Sequence, residues 1–112
     1  MYKMVVIDID GTLLTTDGKI TQKTKLALQK AQDMGLLIVL ASGRIANSTA
    51  LYAREIGLNS YIISGNGSVI TNLENNEMIY TNCLGNRATQ NIVDICKENT
   101  ISFNVYTLDE IL

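Results

Sequence analysis

The feature that most constrains the fold is a pair of aspartates at the end of a short, almost continuous apolar run. The run extends from Lys3 to Ile9 and is rich in Val and Ile, which is typical of a parallel strand buried on both faces. Asp8 and Asp10 are separated by one residue, so on an extended segment their side chains point in the same direction. We therefore expect both carboxylates at the C-terminal end of a first strand, where parallel sheets place their sites.

The residues that follow this pair indicate how it is used. Two neighbouring carboxylates repel each other, and a shared proton or a hard cation relieves the repulsion, Mg²⁺ being the natural cation beside phosphate. Gly11 lets the backbone approach a ligand closely or adopt a positive φ, and Thr12 adds a hydroxyl and a main-chain N–H. A bare pair would favour a strand that ends in solvated acids, whereas the whole segment Asp8–Thr12 favours a ligand site.

A βαβ unit is predicted around this segment. Thr21 can cap a helix from about Gln22 to Met34 that stops at Gly35, and Leu36 to Leu40 is a second apolar strand. Between the first strand and this helix, Asp17-Gly18 favours a tight two-residue hairpin turn, which predicts a small flap.

The rest of the chain continues the alternation of strands and helices, so the predicted fold class is α/β. The further predicted elements are a helix from Ile45 to Ile56, a strand from Tyr61 to Ile63, a hairpin of Val69–Thr71 with Met78–Tyr80, a helix with an apolar face beginning at Ala88, and a strand from Ser102 to Thr107.

Composition excludes several classes of chemistry. The chain contains no histidine, which removes Ser-His-Asp and Cys-His catalysis and His-ligated zinc. A net charge of −2 without a basic cluster gives no support for nucleic acid or an acidic membrane surface as a partner. Cys83 and Cys96 lie too far apart for a CxxC motif, and packing or surface roles are expected for them. No apolar run approaches the length of a membrane span or a signal peptide, so a cytoplasmic location is expected.

Two further polar segments follow the second and third predicted strands. Ala41-Ser42-Gly43-Arg44 offers a hydroxyl, tightly turned amides and a helix N-terminus for phosphoryl oxygens, although Ser-Gly alone is merely a strand-to-helix turn. Arg44 could clamp a substrate anion bidentately or be a surface residue at the helix start. In Ser64-Gly65-Asn66-Gly67, Asn66 either organises a site or belongs to a simple turn.

These motifs resemble those of the haloacid dehalogenase (HAD) superfamily, whose first motif is DxDGT, and in particular its Cof-type phosphatases. Asp8–Thr12 matches the first motif, Ala41–Arg44 is similar to the second, and Ser64–Gly67 is similar to the SNGA stretch of the Cof type. The resemblance implies a Rossmann-like core, a parallel sheet with a flap hairpin. Residues 1–81 would be the N-terminal part of that core, and residues 82–112 the truncated start of an α/β cap of the C2 type.

The resemblance also implies roles for individual residues. Asp8 would be the nucleophile that forms an aspartyl-phosphate, and Asp10 the general acid and then the general base. Mg²⁺ would be held by the Asp8 carboxylate and the Asp10 main-chain carbonyl. The implied substrate is a small phosphorylated metabolite, sugar phosphates especially. The implied phosphate- and substrate-binding residues are Gly11, Thr12, Ser42, Gly43, Arg44 and Asn66.

The family's third and fourth motifs, a lysine and a GDxxND-like group of acids, have no match in these residues. Lys97 falls in the expected cap helix and does not replace the lysine. We therefore expect a phosphatase as the full-length protein, with this chain alone weakly active or inactive and the remaining C-terminal part as its partner. The alternatives are a phosphomutase and a non-catalytic HAD-like module that binds metal, phosphate or a partner chain.

Overall fold

The computed structural model describes residues 1–108 and 110–112 and shows an α/β fold built on one five-stranded sheet. The strands lie in chain order across the sheet; β1, β2 and β3 are parallel, and β4 and β5 are added antiparallel. This confirms the predicted α/β class. The strands are β1 Met4–Asp8, β2 Leu37–Ala41, β3 Tyr61–Ser64, β4 Val69–Asn72 and β5 Glu77–Thr81, and the helices are α1 Gln22–Asp33, α2 Ala46–Ile56 and α3 Asn86–Glu98.

Local signals in the sequence fix the ends of the first two helices. The Thr21 side chain accepts a hydrogen bond from the Thr24 amide at 3.1 Å and so caps α1. Gly57 ends α2 in the left-handed conformation, with φ at +87°, which glycine adopts without steric cost. Both helices were predicted to within about one residue at each end.

The first strand differs from its prediction. We expected β1 to be buried on both faces, but it is an edge strand that pairs with β2 alone, and Met4, Val5 and Val6 are 52%, 37% and 50% exposed. An apolar run is buried only where other elements cover it, and the described residues supply a neighbour on one side of β1. The most buried strand is β2, which lies between β1 and β3.

The core lies between the sheet and α2. Ala53 and Ile56 of α2 are fully buried in the same cluster as Ile9, Leu40 and Ile62. Helix α1 contributes only partly buried side chains to this cluster. Ile9, the residue between the two aspartates, is therefore packed in the core. Its burial fixes the position of the turn that carries Asp8 and Asp10.

The turn of the flap is one residue longer than predicted. The Thr15 amide donates to the Lys19 carbonyl and the Gly18 amide to the Thr15 carbonyl, each at 2.9 Å. Residues 16–18 thus form a three-residue connection that ends on Gly18 at φ +76°, not a two-residue turn, and its flanks form no regular strands. A turn closed by a left-handed glycine is the usual three-residue alternative.

Residues 82–112 are packed more loosely. No residue of α3 is buried. The strand predicted from Ser102 to Thr107 is wrong: Val105 and Leu112 exchange amide-to-carbonyl hydrogen bonds of 2.9 and 2.8 Å, and Tyr106 forms a single bridge with Ile111. The segment therefore folds on itself and does not join the sheet. The predicted domain boundary after residue 81 stays a prediction, and residue 109 lies outside the described residues.

In the part of the chain that the structure describes, no helix has the length and apolar character that crossing a membrane requires.

Candidate active site

The turn after β1 places two acids at the surface above a buried anchor. Ile9–Leu13 forms one wide helical turn, closed by a 3.1 Å hydrogen bond from the Leu14 amide to the Ile9 carbonyl. Gly11 supplies the positive φ of +77° that the turn needs, as its position predicted. Because Ile9 and Leu13 are buried, Asp8 and Asp10 remain exposed at the C-terminal end of β1.

Asp8 opens into a cavity of about 360 Å³ at the C-terminal ends of the parallel strands. The Thr12 hydroxyl approaches the Asp8 carboxylate at 3.5 Å, the outer limit of a hydrogen bond. The structure thus brings together one predicted acid and the two predicted phosphate-binding loops. The cavity is lined by Asp8, Ala41, Ser42, Gly43, Ile63, Asn66 and Gly67.

The two loops that face Asp8 are held together by main-chain hydrogen bonds. The Ser42 amide donates to the Ile63 carbonyl at 2.9 Å, and the Asn66 amide donates to the Ser42 carbonyl at 3.2 Å. The Gly65 amide donates to the Arg44 carbonyl at 2.8 Å. The loops after β2 and β3 therefore form one continuous wall of the cavity.

Asn66 is both a turn residue and a wall of the site. It adopts a left-handed conformation with φ at 55°, which asparagine tolerates better than most residues. A Cβ atom added to Gly43 would lie 2.8 Å from the Asn66 side-chain oxygen, so this glycine makes room for the asparagine. The two readings of Asn66, turn and site organiser, are compatible.

Asp10 has a different neighbour. Its two carboxylate oxygens accept hydrogen bonds from Arg44 Nε at 2.8 Å and Arg44 Nη2 at 2.7 Å, which is a bidentate ion pair. The hydrogen bond from Arg44 lowers the pKa of Asp10, desolvation opposes this shift, and the arginine's charge adds to it. The same hydrogen bond raises the pKa of Arg44, so both groups are charged.

The two aspartates line adjoining cavities that share Gly43. The second cavity, of about 330 Å³, contains Asp10, and Tyr106 and Ile111 of the C-terminal segment contribute to its wall. The fork of Arg44 faces Asp10 and does not line the cavity of Asp8. Gly11 and Thr12 shape the turn and do not line the Asp8 cavity either.

The donor set fits part of a magnesium site. The described residues contain no group of three or more Asp, Glu, His or Cys side chains close enough to share one ion. Asp8 presents a carboxylate to open space, and Mg²⁺ commonly binds one or two carboxylates together with water and phosphate oxygens. The Asp10 side chain is already hydrogen-bonded to Arg44 through both of its carboxylate oxygens.

Sequence reasoning missed two residues that support Arg44. The Ser48 hydroxyl accepts a hydrogen bond from Arg44 Nη1 at 3.3 Å, and the Tyr52 ring centroid lies 5.2 Å from the guanidinium carbon. Ser48 and Tyr52 are four residues apart within α2, which places them on one face of the helix, and this spacing was the available signal.

Comparison with known proteins points to one family. A family model described as haloacid dehalogenase-like hydrolase matches residues 5–112. The HMP-PP phosphatase of Yersinia pestis is 37% identical over 78 residues, which cover 70% of this chain and 29% of the relative.

Solved structures give the same result. A haloacid dehalogenase-like hydrolase from Bacteroides thetaiotaomicron superposes with a TM-score of 0.87 at 33% identity, over 99% of this chain and 43% of that one. A HAD subclass IIB sugar phosphatase gives a TM-score of 0.77 at 26% identity, over 97% and 42% of the two chains. The chain therefore spans less than half the length of the proteins that it matches.

Proposed function

The chain belongs to the haloacid dehalogenase-like hydrolase family, and we propose that the whole protein is a Cof-type phosphatase of the cytoplasm that depends on Mg²⁺. The proposed substrates are small phosphorylated metabolites, sugar phosphates above all. The observation that carries the proposal is the Asp8 carboxylate, which opens into a cavity walled by the Ser42-Gly43 and Asn66-Gly67 loops. The names of the HMP-PP phosphatase and the sugar phosphatase support the reaction class.

Hydrolysis would proceed in two steps on Asp8. A carboxylate oxygen of Asp8 attacks phosphorus, the bond from phosphorus to the ester oxygen breaks, and the leaving alkoxide takes a proton from Asp10. Water then attacks the aspartyl-phosphate and loses a proton to Asp10. The bond from phosphorus to the Asp8 oxygen breaks, which releases phosphate and restores both aspartates.

The ion pair with Arg44 bears on the two roles of Asp10. Because the hydrogen bond from Arg44 lowers its pKa, Asp10 is ionised in this structure, which is the form that accepts a proton from water. Donation to the leaving group requires the protonated form, so the first step requires a proton on Asp10 when the phosphorylated substrate is bound.

Magnesium bound by the Asp8 carboxylate and the Asp10 carbonyl would neutralise phosphoryl charge, so that an anionic nucleophile can approach an anionic substrate. Residues 1–112 themselves contribute little positive charge to neutralise the phosphoryl group, since Arg44 is paired with Asp10. We therefore propose that residues 1–112 alone are weakly active or inactive, and that the remaining C-terminal part supplies further ligands and a cation.

The test uses protein produced from the complete coding region and, beside it, the 112-residue chain. Phosphate release from glucose 6-phosphate is followed with Mg²⁺ and with a chelator. Asp8→Asn is expected to lower kcat at least about 1,000-fold, because the nucleophile is lost. Asp17→Asn in the neighbouring turn is the matched control and should leave kcat unchanged. Turnover that survives Asp8→Asn would overturn the proposal.

A further inference from the structure

Helix α2 supports the Asp10 carboxylate through a single guanidinium. Arg44 lies two residues before the first residue of the helix, and Ser48 and Tyr52 lie one turn apart on one face of it. Ser48 accepts from Nη1 at 3.3 Å, and the Tyr52 ring lies against the guanidinium with its centroid at 5.2 Å. Ser48 thus holds one edge of the guanidinium and Tyr52 one face, independently of the contact with Asp10.

The main chain of Arg44 is fixed as well. Its amide donates to the Ser42 hydroxyl at 3.2 Å, and its carbonyl accepts from the Gly65 amide at 2.8 Å. An arginine held at both its backbone and its side chain loses little conformational freedom when it binds a partner, so the pair with Asp10 is well pre-organised.

The orientation of this guanidinium separates two roles. An arginine that bound the substrate's phosphoryl group would direct its fork into the cavity beside Asp8. Here the fork is occupied by Asp10, and Arg44 lines the adjoining cavity instead. We propose that Arg44, held by Ser48 and Tyr52, is a positioning residue that fixes the Asp10 carboxylate for proton transfer and does not bind the phosphoryl group. This inference rests on the proposed function.

The position of Asp10 depends on this support because the residue itself is loosely held. Asp10 is exposed and precedes Gly11, a turn residue with a positive φ. Without Arg44 its side chain is free to rotate, whereas proton transfer requires hydrogen-bond contact with the reacting oxygen. Loss of Arg44 should therefore slow the step that needs a proton and leave phosphate binding nearly unchanged.

Leaving groups that differ in basicity provide the decisive assay. The alkoxide of a sugar phosphate needs a proton to leave, whereas p-nitrophenolate is a much weaker base and departs without one. In protein from the complete coding region, Arg44→Gln should lower kcat/KM, which reports the first phosphoryl transfer, about 10- to 100-fold for glucose 6-phosphate and only a fewfold for p-nitrophenyl phosphate. KM should not rise for either substrate.

Further variants separate positioning from folding. Arg44→Lys keeps the charge but loses the fork, so it should recover less than half of the lost activity. Tyr52→Leu should show the same preference between substrates in weaker form, and Tyr52→Phe, which keeps the ring, should show less of it. Arg54→Gln, on the same helix but hydrogen-bonded to Asn76, is the matched control. Thermal unfolding of each variant confirms that it is folded.

The outcomes are distinct. A raised KM with equal losses on both substrates would assign Arg44 to the phosphoryl group and overturn the inference, as would kinetics that Arg44→Gln leaves unchanged. If Asp8→Asn abolishes turnover in either case, the proposed function stands and only the role of Arg44 fails. If Asp8→Asn retains turnover, or the protein hydrolyses neither ester, the proposed function fails and the role of Arg44 fails with it.

Discussion

Helices α2 and α3 have similar lengths, yet their apolar side chains have different surroundings. In α2, Ala53 and Ile56 are fully buried in the cluster that contains Ile62 of the sheet. In α3, Ile92 and Ile95 lie on one face and are about half exposed. Both helices have the spacing that predicts an amphipathic helix, so spacing alone does not determine how much burial stabilises a helix.

The same contrast separates residues 1–81 from residues 82–112. The buried core extends from Ile9 to Leu73, and the proposed nucleophile lies on its rim. An apolar cavity of about 370 Å³ lies between α3 and residues 103–106, away from the carboxylates. Residues 1–81 are therefore expected to account for most of the stability, and they also contain Asp8, the proposed nucleophile. Residues 82–112 contribute mainly Tyr106 and Ile111, which lie near Asp10.

The largest expected difference is in core truncations. Leu40→Ala, at a side chain with no exposed surface, should lower the free energy of unfolding by about 2–5 kcal/mol. Ile95→Ala, at a side chain that is 56% exposed, should lower it by less than about 1 kcal/mol. Urea unfolding of the purified chain measures both. Equal losses would show that α3 is packed as tightly as the core.

Two glycines give the next largest contrast. Gly57→Ala forces a side chain into the left-handed conformation, at φ +87°, with its Cβ 3.3 Å from the Gln29 amide nitrogen, and should destabilise the chain by about 1–2 kcal/mol. Gly85→Ala meets no atom within 4 Å and should cost no more than about 1 kcal/mol through a poorer helix cap. Thermal unfolding compares them, and a larger loss for Gly85→Ala would contradict the contrast.

Changes at the N-terminal caps of α1 and α3 should have smaller effects on the free energy of unfolding, and the two effects should be opposite in sign. Thr21→Ala removes the hydroxyl that caps α1 and should cost about 1 kcal/mol. Gly85→Ser adds a hydroxyl at the start of α3, where no side chain caps the helix, and should stabilise it by a few tenths of a kcal/mol. Circular dichroism during urea unfolding measures both changes. If Thr21→Ala is neutral, α1 does not depend on its cap.

The smallest expected effect is on the pH dependence of the flap. A hydrogen bond from Thr15 and, to a smaller extent, one from Lys19 lower the pKa of Asp17 below its ordinary value. A depressed folded-state pKa means that this stabilisation is present above the unfolded pKa and is lost as pH falls through the folded pKa. Thr15→Val should move the Asp17 pKa, followed by NMR, back towards its ordinary value. An unmoved pKa would rule out the Thr15 contact.

Local chemistry made part of this structure predictable. Thr21 and Gly57 identified helix ends, and Gly11 identified the turn that carries the aspartates, because a cap or a positive φ depends on residues near in sequence. The exposure of β1 was not predictable, since burial of an apolar run depends on which strands lie beside it.

Contacts between residues that are distant in sequence were also not predictable in the candidate site. The pattern identified Asp8, Asp10 and Arg44 individually, but the ion pair between the last two joins residues 34 positions apart. Only the parallel pairing of β1 with β2 brings them together. For Ser102–Thr107 the apolar pattern was suitable for a strand, but the segment forms its hydrogen bonds within the C-terminal turn instead.

The most direct test of the central claim, that the chemistry takes place on Asp8 at the rim of the packed region, is to trap the acyl phosphate. Protein from the complete coding region is quenched in acid during turnover of glucose 6-phosphate, reduced with borohydride and analysed by peptide mass spectrometry. Reduction converts a phosphorylated aspartate to homoserine. We predict homoserine at position 8, only with substrate, and unmodified Asp10 and Asp17. Turnover with Asp8 unmodified, or homoserine at another aspartate, would contradict the claim.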